Sequence, residues 1–231
     1  MCGRFSFHSP HELMRQLFGL DTLEPGTADL PPRWNIAPGS LVGAVRTTVQ
    51  RQRGLARLQW GLVPSWARDR DIGDRLVNAR IETARDKPSF RSAFRRRRCL
   101  VVADAYYEWR AEGRGKQPYL IEAVDAQPFG MAGLWESWRD PANGEVLESC
   151  VIVTRPSAAA VREVHDRMPG LVAAADYPQW LDPGYDDVAA LAELILAEPK
   201  VPLRIRPVSR RVNNPRNEGP ELAAPAVPGG D

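Results

Sequence analysis

Apolar positions in this chain fall mostly into short alternating or continuous runs bounded by turn residues, the pattern of strands rather than helices. The spacing predicts strands over residues 41–48, 55–60, 99–103, 118–123, 129–134 and 147–154. Asp140-Pro141-Ala142-Asn143-Gly144 reads as a hairpin turn between the last two. Helical periodicity is sparser. Ser9-Pro10-His11-Glu12 reads as a helix start, with Ser9 as N-cap, Pro10 at the first helical position and Glu12 closing a capping box. Leu13, Leu17 and Phe18 supply its apolar face, and Gly19 stops it. Further helices are expected over 88–96, 157–163 and 187–197, and a loop over 21–33. No repeat and no central linker divides the chain. Strands joined largely by turns predict an α+β fold, a single domain built on a curled, mostly antiparallel, barrel-like β-sheet with appended helices. That domain is expected over residues 2–212. Residues 213–231, rich in Pro, Gly and Ala, read as a poorly packed C-terminal tail.

Composition narrows the function classes. A hydrophobic content of 43% with 26% charged residues is that of an ordinary globular chain and excludes a disordered one. No apolar run approaches the ~18 residues of a membrane-spanning helix. Charged and polar residues from Arg4 onward break the pattern of a signal peptide. Three cysteines without a CxxC pair argue against a disulfide framework and against zinc, so a cytoplasmic protein with reduced thiols is expected. His8 and His11 hint at a metal but lack ligands at suitable spacing, and no metal is expected. Net charge is only +2, yet all but three of the 31 basic residues are arginine. Codon bias and phosphate recognition both produce such a skew. Arg80, Arg85, Arg91 and the run Arg95 to Arg98 concentrate in one segment, which predicts a local basic face.

Cys2 adds a specific chemistry. Methionine aminopeptidase removes Met1 before a small second residue, and a terminal cysteine then carries an amine and a thiol on adjacent carbons. The amine ionises near ~8 and the thiol near ~8.5, so both are usable nucleophiles at neutral pH. Together they close on one aldehyde: the amine forms a Schiff base and the sulfur adds to give a five-membered thiazolidine. The plainer alternative is a small buried residue.

Other stretches allow two readings each. Glu108 lies among Tyr106, Tyr107 and Trp109, where apolar surroundings raise a carboxyl pKa toward general-acid use; it also fits the outward position of an amphipathic strand. His165 beside Asp166 reads as a proton carrier or as a helix-end cap. Asn78 is two residues from Arg80 and reads as a ligand-orienting amide or a turn residue. Trp66, beyond the Pro64 turn, is an exposed stacking aromatic or a core one. The run Arg95 to Arg98 reads as a solvated helix end.

Taken in order, Cys2-Gly3-Arg4, Asn35-Ile36-Ala37-Pro38, Trp60-Gly61-Leu62-Val63-Pro64, Asn78-Ala79-Arg80-Ile81-Glu82-Thr83, Tyr107-Glu108-Trp109, Ala132-Gly133-Leu134-Trp135-Glu136 and His165-Asp166-Arg167-Met168-Pro169 resemble the SRAP family. These are the SOS-response-associated peptidases that act as abasic-site processing proteins, and the likeness runs from Cys2 to about Val212. The resemblance implies that the mature Cys2 crosslinks to the aldehyde of an abasic site in single-stranded DNA, with some abasic-site lyase activity. It places the family's catalytic asparagine, glutamate and histidine on Asn78, Glu108 and His165. Arg4, Arg80 and Arg85 are then expected on phosphates and Trp66 on a neighbouring base, in a monomer that needs no cofactor and acts near the nucleoid. Three positions depart from the family pattern: Ala103-Asp104-Ala105 where a glycine is usual, Ala67 where some members carry a second tryptophan, and Gly170 in place of a β-branched residue. Two rivals stay open: a hydrolase with Cys2 as N-terminal nucleophile and autocatalytic loss of Met1, and a non-catalytic single-strand binding module.

Overall fold

The computed structural model describes residues 2–27, 30–113 and 115–226. Its strands are β1 (Phe5–Phe7), β2 (Thr22–Leu23), β3 (Arg33–Ile36), β4 (Leu41–Thr47), β5 (Arg53–Trp60), β6 (Asn78–Arg80) and β7 (Arg98–Ala103). They continue with β8 (Ala105–Glu112), β9 (Gly115–Ala123), β10 (Phe129–Arg139), β11 (Val146–Pro156), β12 (Arg167–Pro169), β13 (Leu171–Val172) and β14 (Leu203–Pro207). The helices are short: α1 (His11–Phe18), α2 (Ile81–Ala84), α3 (Arg91–Arg96), α4 (Ala159–Arg162), α5 (Tyr177–Leu181) and α6 (Val188–Leu196).

Five strands close on themselves in the order β4, β5, β11, β10, β7. Closure depends on the parallel pairing of Ser149 with Gln59 and Cys150 with Trp60; the other four pairings are antiparallel. Closing the ring leaves fewer exposed edges, and it explains why a strand such as β7 is buried along its whole length. An antiparallel second sheet runs β14-β9-β8-β1-β3. One residue, Asp104, carries the chain from barrel strand β7 into β8 of this second sheet. This is the α+β, barrel-like single domain that the turn-linked strand pattern predicts.

Several local expectations change. Pro10, not Ser9, stands at the N-cap of α1, and no side chain caps that end. Ser9 is drawn away because its hydroxyl donates to Asp104, which also accepts the backbone N–H groups of His8 and Ser9. A glycine at Asp104's position would leave that corner untied, which gives this departure a structural purpose. His8 stacks on Trp34 with ring centroids 5.0 Å apart. Among the described residues no cluster of three His, Cys, Asp or Glu side chains is suited to a metal.

The arginine run is not one solvated end. Arg95 and Arg96 are exposed, but Arg97 pairs with Glu136 at 2.8 Å. Arg98 is buried, donating to the carbonyls of Phe94 and Trp180, and burial lowers its pKa to about 10. The stretch after Val212 is also held down as far as it is described. Leu222 is fully buried, Asn213 accepts from Trp109 Nε1 at 2.7 Å, and Glu218 accepts from the Trp34 N–H at 2.9 Å. The remainder of the expected tail, 227–231, lies outside the described residues.

Candidate active site at the start of the chain

The first residues of a domain fray unless something ties them. Here three ties act on Cys2-Gly3-Arg4. Asn78 Nδ2 donates to the Cys2 carbonyl at 2.7 Å, and the Tyr107 N–H donates to the Arg4 carbonyl at 2.9 Å. The Arg4 guanidinium donates through Nη1 to Asn35 Oδ1 at 2.7 Å and to the Val212 carbonyl at 2.9 Å. Asn35 is itself fully buried and donates onward to the carbonyls of Asn214 and Asn217. Cys2 therefore sits at a seam: β8 of the second sheet on one side, β6 of the barrel side on the other.

Each sheet brings one chemical group to that seam. Asn78 opens β6, which pairs in parallel with β11 through Ile152 opposite Asn78 and Thr154 opposite Arg80. Its Nδ2 is used on Cys2, while its Oδ1 is buried with no partner among the described residues. Glu108 lies on β8, where side chains alternate between faces. Tyr107 packs into a small outer cluster with Leu120 and Val212, so Glu108 points the other way, into the interior, and is only 2% exposed. The outward-residue reading of Glu108 is thus excluded. Burial raises its pKa, with the charges of neighbouring groups, His165 among them, acting in opposition.

His165 follows α4 and precedes β12. Its Nε2 lies 3.9 Å from Glu108 Oε2. Its Nδ1 accepts the Arg167 N–H at 3.0 Å and lies 2.9 Å from Asp166 Oδ1. Its Nδ1 thus meets a backbone donor and a carboxylate oxygen, while its Nε2 is turned toward Glu108. Two side chains to which the sequence pattern assigns no role, Glu82 and Arg167, fix this loop. Arg167 makes a bidentate pair with Glu82 and donates to the Thr154 carbonyl at 2.7 Å. Burial pushes the Glu82 carboxyl up, but the Arg167 hydrogen bond and charge outweigh it and hold it below the usual value. The pair locks the segment of His165 to that of Asn78. Opposite charges four residues beyond Asn78 in one stretch and two beyond His165 in another are a signal visible in sequence only once the two stretches are known to meet.

The Cys2 thiol is fully buried, and burial, then the Glu108 charge, push its pKa well up. The sulfur is therefore held mainly as a neutral thiol near the Glu108 carboxyl, which in turn lies 3.9 Å from the His165 ring. Cys2, Asn78, Glu108 and His165 thus converge on one seam.

The four expected nucleic-acid contacts divide. Trp66 is 58% exposed. Its turn is fixed from below, because the Trp138 ring N–H donates to the Ala67 carbonyl at 2.8 Å. Gly61 starts that turn with φ of 128°, where a Cβ would come within 2.9 Å of the Gly73 carbonyl oxygen. Leu62 and Trp60 hydrogen-bond to the carbonyls of Leu76 and Val77, so the Trp66 turn lies against the segment leading into Asn78. Arg80 is exposed on β6, and Arg85 is exposed just after α2 with Asp86 3.7 Å away. Arg4 is partly buried and engaged with Asn35 and Val212.

Known proteins share this architecture. The chain matches the family described as SOS response associated peptidase over residues 1–215. It is 35% identical over 223 residues to the abasic site processing protein YoqW of Bacillus subtilis, covering 96% of this chain and 98% of that one. It is 34% identical to the abasic site processing protein HMCES of Xenopus tropicalis over 198 residues, 76% of this chain and 58% of the longer relative. The crystal structure of a Bacteroides thetaiotaomicron protein superposes with a TM-score of 0.85 at 25% identity, covering 98% of this chain and all of that one. With its family match spanning residues 1–215, nearly the whole chain, this protein belongs to the SOS response associated peptidase (SRAP) family.

Proposed function

We propose that this chain is an abasic-site processing protein that binds single-stranded DNA and links mature Cys2 covalently to the ring-opened abasic aldehyde. The observation that carries the reading is the seam itself: a residue at the start of the chain, buried and tied on both sides, between Asn78 and the Glu108–His165 pair. The names of the relatives YoqW and HMCES support it.

The chemistry follows from the groups present. Glu108, its pKa raised by burial, donates a proton to the sugar ring oxygen as the C1′–O ring bond breaks, and the C1′ hydroxyl proton leaves to solvent to expose the aldehyde. The Cys2 amine, freed by loss of Met1, adds to C1′, and water leaves as the imine forms. The sulfur then bonds to C1′, the C=N electron pair moves to nitrogen, and the thiol proton passes to Glu108 or His165. Asn78, with its unused Oδ1, orients the amine. An imine at C1′ acidifies the C2′ proton, so β-elimination accompanies crosslinking as a minor abasic-site lyase activity. Arg80 and Arg85 hold phosphates and Trp66 stacks on a base, while Arg4 holds Cys2 in place.

The test is one gel: processed protein incubated with an abasic single-stranded oligonucleotide is expected to give an adduct that survives heat without reductant. An N-terminal-nucleophile hydrolase or a plain binding module gives none. Cys2→Ser keeps the amine and loses the sulfur, so its imine is trapped by borohydride but no heat-stable adduct forms without it. A stable adduct in that variant would assign the nucleophile elsewhere. With two arginines on phosphates, log affinity for single strands is expected to fall against log salt with a slope near about −1.4, from ~0.7 per contact. Arg80→Ala and Arg85→Ala each flatten it by about half; unchanged slopes remove them from the DNA surface.

A further inference from the structure

We propose that Tyr106 is a positioning residue of this site, its phenol, unpartnered in the resting structure, donating a hydrogen bond to the Cys2 sulfur as the thiol ionises and aiming it at the imine carbon. The inference rests on the crosslinking reading above and adds a residue to it. Tyr106 lies two positions before Glu108 on β8, so both side chains leave the strand on its interior face. It pairs with Phe5 across β1, three residues after Cys2, and Cys2, Phe5 and Tyr106 belong to one continuous buried cluster. The ring is fully buried and edge-on to Phe129, with centroids 6.4 Å apart.

The two tyrosines of β8 differ in one respect. Tyr107, on the outer face, donates its hydroxyl to the Trp34 carbonyl at 2.9 Å. The Tyr106 hydroxyl is buried with no hydrogen-bond partner among the described residues. A phenol so placed weakens the fold relative to phenylalanine unless it serves something else. Burial, then the nearby Cys2 and Glu108, pushes its pKa well up, so it keeps its proton in the cluster that also holds Cys2. Glu108 already has His165 3.9 Å away, whereas the sulfur has the Arg4 backbone N–H, which favours its ionised form. Tyr106, whose hydroxyl is unpartnered at rest, is therefore the donor that the sulfur gains as it ionises. It loses no proton at any step. The thiol proton goes to Glu108 or His165 as the S–C1′ bond forms, and nothing is oxidised or reduced.

Without this donor the imine forms normally but closes slowly, leaving more time for β-elimination. The experiment is a single-turnover comparison of processed parent and Tyr106→Phe on an abasic single-stranded oligonucleotide. Three products are followed: borohydride-trapped imine, heat-stable adduct formed without borohydride, and strand cleaved by elimination. Expected in Tyr106→Phe are imine trapping within about twofold of the parent and ring closure slowed ~10-fold, the scale of one hydrogen bond to a charged group. The ratio of cleaved strand to adduct rises correspondingly, and the melting temperature is equal or higher. An unchanged ratio with a raised melting temperature makes the hydroxyl structurally idle and overturns the proposal. Failure of the parent itself to form a heat-stable adduct overturns the crosslinking reading, and this inference with it. Should Tyr106→Phe not fold, 3-fluorotyrosine at position 106 keeps the ring and strengthens the donor. It is expected to lower the cleavage-to-adduct ratio, and an unmoved ratio again overturns the assignment.

Discussion

Inserting one alanine between Met1 and Cys2 is expected to abolish stable crosslinking while leaving fold and single-strand binding intact. Once Met1 is removed, the new terminal amine belongs to alanine, and the cysteine nitrogen becomes a peptide nitrogen. Its lone pair is delocalised into the adjacent carbonyl and forms no Schiff base. The alanine amine still forms an imine with an aldehyde, but it no longer stands two carbons from the sulfur, so no five-membered ring closes. The structural ties all lie downstream of the insertion: Asn78 on the Cys2 carbonyl, Tyr107 on the Arg4 carbonyl, and Asn35 on the Arg4 guanidinium. Circular dichroism, melting temperature and binding to an intact single strand are therefore expected to match the parent. Heat-stable adduct on abasic DNA is expected to fall below detection. The same adduct in the extended chain would identify a plain thiol as the nucleophile and remove the ring from the mechanism.

Why part of this site is legible in sequence and part is not follows from the distances along the chain. The barrel strands β4, β5, β7, β10 and β11 announce themselves because they are long and continuously or alternately apolar. The strands that build the site do not. β1 and β6 have three residues each, too few for any period to register. β8 carries Tyr106-Tyr107-Glu108-Trp109, buried on both faces at its start, so neither alternation nor a continuous aliphatic run marks it. A carboxyl that would be an outward residue in an ordinary strand is here the inward one, because the second sheet stands over the seam and Tyr107 takes the outer face. The nucleophile, amide, carboxyl and imidazole were each visible as residue types. Their convergence is set by hydrogen bonds spanning 76 residues for Asn78 and Cys2 and 208 for Arg4 and Val212, and no local pattern encodes such pairings. Asn35 and the Glu82–Arg167 pair were missed as ties for that reason. Asp104 shows the converse, a departure from the family pattern whose purpose appears only when its three partners, the His8 and Ser9 amides and the Ser9 hydroxyl, are seen.

Replacing Glu108 by glutamine is expected to slow crosslinking by ~10²–10⁴, the usual cost of removing one general acid. The change is nearly isosteric, so the site keeps its shape and loses its proton donor. The pH dependence separates catalysis from structure. Burial raises the Glu108 pKa above that of an exposed carboxyl, so the protonated, donating form persists to higher pH than usual. In the parent, the crosslinking rate is expected to fall as pH rises through that raised value. In Glu108→Gln this limb is expected to disappear, leaving a low rate. Stability runs the same way in pH for the parent. A carboxyl whose folded pKa lies above its unfolded one contributes stability that is fully present below the unfolded value and is lost as pH rises through the folded value. Glutamine has no charge to bury, so the melting temperature of the variant is expected to be flatter across this range and equal to or above the parent's near neutrality. A site residue retained at the expense of stability has this signature: slower chemistry together with an undiminished fold. Should Glu108→Gln crosslink at the parental rate and keep the parental pH profile, the general acid is another group, and the 3.9 Å approach of His165 to Glu108 would then be a structural contact alone.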